Sequence, residues 1–94
     1  MIYKLKFLPA ALKEWKKLAP PIKAHFKKKL EERLSNPRVQ SSKLRGFDSV
    51  YKIKLRTAGY RLAYEVVDDE IVIFALAIGK RNKNDVYDKL KGRV

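Results

Sequence analysis

The sequence predicts an α+β fold: a small, twisted and largely antiparallel β-sheet packed against an N-terminal helical hairpin, with a short C-terminal helix. Two patterns support this prediction. Apolar residues recur at helical spacing between residues 9 and 36, and they alternate at strand spacing from residue 50 onward. Because 94 residues can build one hydrophobic core with little surplus, we expect a single domain over residues 1–94.

The first two elements are predicted to be a strand and a helix. Residues 2–8 alternate between apolar and basic side chains, which is typical of a strand. Pro9 suits the first turn of a helix, where its missing N–H costs little. A helix over roughly 9–18 then places these apolar residues on one face: Leu8, Leu12, Trp15 and Leu18. We expect Trp15 to pack in the core.

A second helix is predicted after Pro20 and Pro21, which interrupt the first pattern. Its apolar residues recur every fourth position until Asn36: Ile22, Phe26, Leu30 and Leu34. The two helices should form a hairpin that covers one face of the sheet. Residues 27–29 are all lysine, which by itself is typical of a solvated helix face.

A β-hairpin is predicted over residues 50–64. Strand alternation directs three apolar side chains of residues 50–56 to one face and three cations to the other: Tyr51, Ile53 and Leu55 against Lys52, Lys54 and Arg56. A turn centred on residues 57–58 would pair Lys54 with Arg61 and Arg56 with Gly59. Like charges directly opposite are destabilising, so this arrangement favours an anion-binding surface. A solvated basic face remains the alternative.

Residues 71–78 are nearly all apolar and predict a buried central strand after a turn at 68–70. The small residues Ala75, Ala77 and Gly79 should lie beside Arg61, giving a shallow concave basic surface opposite the helix-covered face. Residues 82–90 predict a terminal helix that brings Tyr87 close to Arg81.

Composition limits the partners and the compartment. A net charge of +13 favours nucleic acid, although an anionic membrane or an acidic protein would also suit it. The absence of cysteine removes disulfides and thiolate metal sites, so a cytoplasmic location is expected. No segment approaches the length of a membrane span or a signal peptide, and we expect no membrane association.

The residues on the basic surface could support RNA cleavage without a metal. The single histidine, His25, lies among lysines, and no Gly-rich phosphate loop or metal-ligand cluster is present, so we predict no cofactor and no metal. A lysine among other cations has a lowered pKa and can accept a proton from an RNA 2′-OH. Arginines suit the charge of the transition state, and a tyrosine can stack on a base.

The chain resembles the RelE family of bacterial toxins from toxin–antitoxin systems. The resemblance spans nearly the whole chain and rests on an ordered set of segments: residues 11–15, 27–30, 43–46, 51–56, 59–62, 72–74, 79–81 and 86–87. It implies a small α+β fold and an endoribonuclease that cleaves messenger RNA in the ribosomal A site. Short pieces such as Gly-Lys-Arg are common, but their order is specific.

The resemblance also implies roles for individual residues. Lys52 and Lys54 match lysines assigned to proton transfer and charge stabilisation. Arg61 matches an arginine that supports phosphate charge, Arg81 one at the scissile phosphate and leaving group, and Tyr87 an aromatic that stacks on the substrate nucleotide. Four more basic residues are expected to contact RNA: Lys43, Arg45, Arg56 and Lys80.

The implied partners are messenger RNA, the 70S ribosome and a RelB-like antitoxin, with operator DNA bound through the antitoxin complex. Because a conventional His–Glu acid–base pair is absent, ribosomal positioning of the substrate should supply much of the rate. Two alternatives stay open. One is a noncatalytic ParE-like toxin that binds DNA gyrase, and the other is a plain basic nucleic-acid-binding module.

Overall fold

The computed structural model describes residues 2–56, 58–80 and 85–93, which form a four-stranded sheet and three α-helices. The chain order of the strands and helices is β1 (Lys4–Phe7), α1 (Pro9–Lys16), α2 (Pro20–Ser35), β2 (Val50–Leu55), β3 (Tyr60–Val67), β4 (Val72–Lys80) and α3 (Asp85–Arg93). Two 3₁₀ turns, Gln40–Ser42 and Asp68–Glu70, precede β2 and β4. The predicted α+β class and element order are therefore confirmed.

The sheet has the order β1-β4-β3-β2. The two hairpin pairs, β2–β3 and β3–β4, are antiparallel, while β1 lies parallel to β4. Parallel pairing requires a long connection, and the α1–α2 hairpin and the β2–β3 hairpin both lie between β1 and β4 in the chain. The most apolar strand, β4, thereby occupies an interior position of the sheet.

The helical hairpin covers one face, as predicted. Proline stands at the start of both helices, where the backbone nitrogen needs no hydrogen-bond partner. The fully buried Phe26 and Leu30 of α2 pack against the inward side chains of the sheet, including Tyr51, Ile53 and Leu62. The expectation for Leu12 was wrong: it is exposed, and Ala11 is the buried residue of α1.

The opposite face of the sheet carries a second apolar cluster that the sequence analysis did not predict. α3 buries Val86 and Leu90 there against Leu76, Ala77 and Ala63. The buried side chain of Leu44, in the loop before β2, joins the same cluster. The predicted basic surface is therefore only part of this face, at the end where β2 and β3 meet.

A register shift corrects the predicted row of small residues in β4. Ala63 pairs with Ala77, whereas the next residue of β3, Tyr64, pairs with Ala75. The extra residue on β4 makes a β-bulge, which reverses the facing of side chains on either side of it. Ala77 and Gly79 thus share a face with Ala63 and Arg61, but Ala75 lies on the helix-covered face with Tyr64.

The turns are close to those expected from the sequence. Asp68–Glu70 forms the predicted turn before β4, and Ile71 completes it with a left-handed backbone at φ 56°. Gly59 ends the β2–β3 turn with φ 73°, a conformation that glycine adopts without steric cost.

Across the ranges that the structure describes, no helix combines the length and the apolar character needed to span a membrane.

Candidate functional site

Three neighbouring strands place a row of residues across one face of the sheet. In the register, Lys54 of β2 lies opposite Arg61 of β3, and Arg61 lies opposite Gly79 of β4. The predicted pairing of Lys54 with Arg61 is confirmed, as is the small residue beside Arg61. Lys52 lies two positions from Lys54 and therefore shares its face.

The C-terminal helix, α3, adds Tyr87 to this row of residues. The Arg61 Cζ atom lies 5.0 Å from the centroid of the Tyr87 ring, with the guanidinium over the ring face. Both side chains are partly exposed. A guanidinium at this distance is attracted by the negative face of the ring, which orients both groups before any ligand arrives. The predicted convergence of Arg61 and Tyr87 is therefore present.

The closely spaced cations lower the pKa of one of the lysines, Lys54. The neighbouring charge of Lys52 lowers the pKa of Lys54, and desolvation and the charge of Arg61 act in the same direction. Tyr87 opposes this shift by its own electrostatic effect. A lowered pKa increases the fraction of Lys54 that is a neutral amine near neutral pH, and only the neutral amine can accept a proton.

One atom of Arg61 has an unmet hydrogen bond. Its Nε is buried and finds no hydrogen-bond partner among the residues that the structure describes. Buried donors are normally satisfied by a hydrogen bond. With the guanidinium held over Tyr87, an anion between Lys54 and Arg61 could satisfy it.

The residues expected to contact RNA do not all join this site. Lys43 and Arg45 are exposed on either side of buried Leu44, along the outer edge of β2, where Lys43 bridges to Tyr51. Arg56 is exposed in the β2–β3 turn. Gly59 lies in that turn too, so the predicted strand pairing of Arg56 with Gly59 does not form.

Lys80 lies away from the other candidate residues. It pairs with Tyr60, and cross-strand partners share a face, so it belongs to the helix-covered side opposite Arg61. It lines a cleft of about 470 Å³ at the edge of β4 together with Lys17 and Lys89. The remaining candidate, Arg81, lies outside the described residues, and its role stays a prediction from the resemblance.

The sequence analysis missed two residues that hold the site together. Glu14 of α1 binds Lys89 and Arg93 of α3, at N–O distances of 2.6 and 2.9 Å. Arg33 of α2 donates to the carbonyl oxygen of Lys52 at 3.4 Å and to the hydroxyl of Tyr64 at 2.9 Å. These partners are far apart in the chain, so spacing could not reveal them. The only available signal was that Glu14 falls within the matched segment 11–15.

The arrangement is suited to chemistry on a phosphodiester. Lys52, Lys54 and Arg61 concentrate positive charge where negative charge would develop, and Arg61 can present paired N–H donors to phosphate oxygens. Because its pKa is lowered, Lys54 is available as a proton acceptor. Tyr87 offers a ring that could stack on a base at the edge of the same surface.

Comparison with known protein families gives a match over most of the chain. Residues 5–85 match the family model described as ParE toxin of type II toxin-antitoxin system, parDE. Among curated proteins, the chain is similar to the mRNA interferase toxin RelE of Escherichia coli strain K12 and to the mRNA interferase RelE of Shigella flexneri. Each is 47% identical over 94 residues, covering 100% of this chain and 99% of the relative.

Solved structures of RelE toxins are also similar to this chain. A mutant of E. coli toxin RelE in the free state, with two arginines replaced by alanine, has a TM-score of 0.92 at 46% identity and covers 100% of this chain and 99% of its own. The RelE chain of the intact E. coli RelBE toxin–antitoxin complex has a TM-score of 0.81 at 50% identity over 83% of this chain and 95% of its own. The chain therefore belongs to the RelE/ParE superfamily of type II toxin–antitoxin toxins and is a RelE-family member of it.

Proposed function

We propose that this chain is a ribosome-dependent endoribonuclease toxin, which cleaves messenger RNA in the ribosomal A site and so inhibits translation. The observation that carries the proposal is the convergence of Lys52, Lys54, Arg61 and Tyr87 on one face of the sheet, with Arg61 held over Tyr87 at 5.0 Å. The similarity to proteins named mRNA interferase over the full length of the chain supports it.

The proposed reaction uses the RNA's own 2′-hydroxyl as the nucleophile. Lys54, or Lys52 beside it, accepts the 2′-OH proton while the 2′-oxygen forms a bond to the adjacent phosphorus. The bond from phosphorus to the 5′-oxygen breaks, and that oxygen takes a proton from solvent water, at the side where the resemblance places Arg81. The products are a 2′,3′-cyclic phosphate and a 5′-hydroxyl end. Arg61 stabilises the added negative charge on the phosphate oxygens during transfer.

Ribosome dependence follows from what the site lacks. The described part of the site holds no carboxylate–histidine pair, so the chain depends on substrate alignment for much of its rate. Holding a nucleophile in line with its target can contribute about 7–11 kcal/mol. The exposed lysines at residues 27–29 of α2 are suited to hold ribosomal RNA phosphates, and this attraction should weaken with salt.

Control of such an activity requires an inhibitor. We propose a RelB-like antitoxin as the partner, because relatives have been solved as a RelBE complex and with a RelB peptide. The assembly would bind operator DNA through the antitoxin, and the toxin would act in the cytoplasm, where ribosomes are. Coexpression of the antitoxin should then restore growth of cells that express this chain.

The decisive experiment maps cleavage sites on a defined messenger RNA with and without programmed ribosomes. Wild type is compared with Arg81→Ala and with Arg38→Ala, a control at the opposite end of the sheet whose guanidinium binds Tyr51 and Asp68. We expect cuts within A-site codons that require ribosomes, persist in Arg38→Ala and disappear in Arg81→Ala. Equal cutting of free RNA would leave a ribonuclease and remove ribosome dependence.

The second candidate is a noncatalytic toxin that binds DNA gyrase, which the match to the ParE family model favours. It gives no reason for Lys54, Arg61 and Tyr87 to converge. Gyrase supercoiling assays with the same preparations separate the two functions. Inhibition of supercoiling by folded protein, without cleavage of RNA on ribosomes, would replace the nuclease proposal with this one.

A further inference from the structure

One edge of β4 is covered by side chains instead of a strand. β1 pairs with β4 only from Val72 to Ala75, so the part of the edge beyond Ala75 has no strand neighbour among the described residues. An open strand edge leaves backbone donors and acceptors without partners. Here the N–H of Ile78 donates to Oε1 of Glu14 at 3.1 Å, and the carbonyl oxygen of Ile78 accepts from Lys89 at 2.8 Å.

These two side chains, together with Arg93, connect the two faces of the sheet. Glu14 belongs to α1, whereas Lys89 and Arg93 belong to α3 on the opposite face. The Glu14 carboxylate binds Lys89 Nζ at 2.6 Å and the two terminal nitrogens of Arg93 at 2.9 and 3.1 Å. Arg93 also donates to the carbonyl oxygen of Leu76 at 2.9 Å. We call Glu14, Lys89 and Arg93 the edge clasp.

The edge clasp is better protected from solvent than an ordinary surface ion pair. The side chains of Glu14, Lys89 and Arg93 are 17%, 25% and 20% exposed, whereas those of Arg38 and Asp68, the other ion pair described, are 38% and 52% exposed. Arg93 binds Glu14 in a bidentate manner, which fixes orientation as well as distance. The clasp can therefore set the position of α3 along the strand.

The position of α3 determines where Tyr87 lies. Val86 and Leu90 attach the helix to the sheet through apolar contacts, which tolerate small rotations and shifts. Lys89 and Arg93 are four residues apart and project from one side of the helix, so their shared carboxylate restricts its rotation. Tyr87 is on the same helix, so the distance of 5.0 Å between its ring and the Arg61 guanidinium depends on the orientation of α3.

We infer that Glu14 is a positioning residue for RNA cleavage, which acts by holding α3 so that Tyr87 stays over Arg61. The inference rests on the proposed function. It assigns a role in turnover to a residue of α1 that is on a different element from every candidate catalytic residue. Glu14 itself does not touch the substrate, and its effect passes through the edge clasp and Tyr87.

The first test measures single-turnover cleavage of messenger RNA on programmed ribosomes by Glu14→Gln. This change keeps the size of the side chain and removes its charge. Because small misplacements of a reacting group lower rates steeply, we expect a loss of about 10- to 100-fold at saturating ribosome. Ribosome affinity should stay within about twofold, because α2 and the loop before β2 are unchanged. Asp68→Asn, which breaks the exposed Arg38–Asp68 pair, should cleave like wild type.

The second test asks whether the loss passes through Tyr87. In a Tyr87→Ala background, Glu14→Gln should cause little further loss, since residues that act as a unit are not additive. Amide hydrogen exchange should accelerate in α3 of Glu14→Gln but not in β3. If the two substitutions instead multiply their effects, Glu14 acts only on general stability, and the inference is overturned.

A substitution at Arg93, which binds Glu14 from α3, provides a further test if Glu14→Gln folds poorly. Arg93→Met removes the bidentate contact from α3 and should reproduce the loss of turnover, again only when Tyr87 is present. Failure of the inference is distinct from failure of the proposed function. If the wild type cuts ribosome-bound RNA and Tyr87→Ala slows the cleavage while neither clasp variant does, the inference is wrong and the proposed function stands. If the wild type cuts no RNA, both are wrong.

Discussion

The guanidinium of Arg61 lies over the ring of Tyr87, although the two residues belong to different elements, β3 and α3. An arginine on a sheet face that carries two lysines would ordinarily move away from them into solvent. The ring supplies a competing attraction of about 0.5–1 kcal/mol at an exposed site, and more where water is excluded. Arg61 is thereby kept beside Lys54, where a phosphate would meet both charges.

Removal of the Arg61 side chain should abolish most of the cleavage while leaving binding largely intact. Arg61→Ala is expected to lower single-turnover cleavage on ribosomes by about 10²- to 10³-fold, the usual loss for one group that stabilises transition-state charge. Arg38→Ala is the matched control, because that arginine also contacts a tyrosine, Tyr51, at 3.1 Å. Equal activity of the two variants would contradict a catalytic role for Arg61.

The pKa of Lys54 should respond to the charge at residue 52. Lys52 is the largest cause of the lowered pKa of Lys54, so Lys52→Gln should raise that pKa and Lys52→Arg should not. If Lys54 is the base, the rate rises with pH as its amine becomes neutral, and the rising limb moves to higher pH in Lys52→Gln. NMR titration of the lysines measures the pKa of Lys54, and pH–rate profiles of wild type and Lys52→Gln measure the rising limb of the cleavage rate. A rising limb at the same pH in both proteins would mean that a group other than Lys54 is the base.

The edge clasp should add stability that acid removes. Burial raises the pKa of Glu14, but hydrogen bonds from Arg93, Lys89 and the Ile78 N–H outweigh it and leave the pKa lowered. A carboxyl with a lowered folded pKa stabilises the fold above its ordinary value of 4.5, and this contribution is lost as pH falls through the folded value. Glu14→Gln should therefore lower Tm at pH 7 by about 4–8 °C, the shift for a loss of about 1 kcal/mol.

Thermal unfolding of wild type and Glu14→Gln across a pH series measures how much stability the charge of Glu14 contributes. The gap in Tm between the two proteins should shrink as the pH is lowered below 4.5 and approach zero once Glu14 is protonated in the folded wild type. A constant gap down to acid pH would mean that the charge of Glu14 contributes nothing and that the substitution acts through packing.

The hydroxyl of Tyr64 should contribute to the stability of the fold. Its buried hydroxyl donates to the carbonyl oxygen of Pro37 at 2.6 Å and accepts from Arg33 at 2.9 Å. Tyr64→Phe leaves that carbonyl unsatisfied, and we expect a loss of about 1–3 kcal/mol in the free energy of unfolding by urea. Tyr51→Phe, whose hydroxyl binds the more exposed Arg38, should cost less. The order of the two losses is the test.

Much of the fold could be predicted because its elements are locally encoded. Prolines at positions 9 and 20 begin the two helices, and the spacing of Phe26 and Leu30 correctly predicted the buried face of α2. Alternation in residues 50–64 and a short turn were sufficient to pair Lys54 with Arg61. The exposed Leu12 shows the limit of this reasoning, since a periodic pattern does not reveal which neighbour is available to cover a position.

The sequence by itself determined the α+β class, the strand pairing of the hairpin and the face that gathers Lys52, Lys54 and Arg61, because these follow from periodicity and turn length within short segments. Only the tertiary structure decided the bulge that separates Ala75 from Ala77, the placement of Lys80 on the other face, and the edge clasp that ties Glu14 to Lys89 and Arg93. A bulge depends on packing against both faces of a sheet. A clasp depends on two helices meeting at one strand edge, and no local pattern in the chain specifies that meeting.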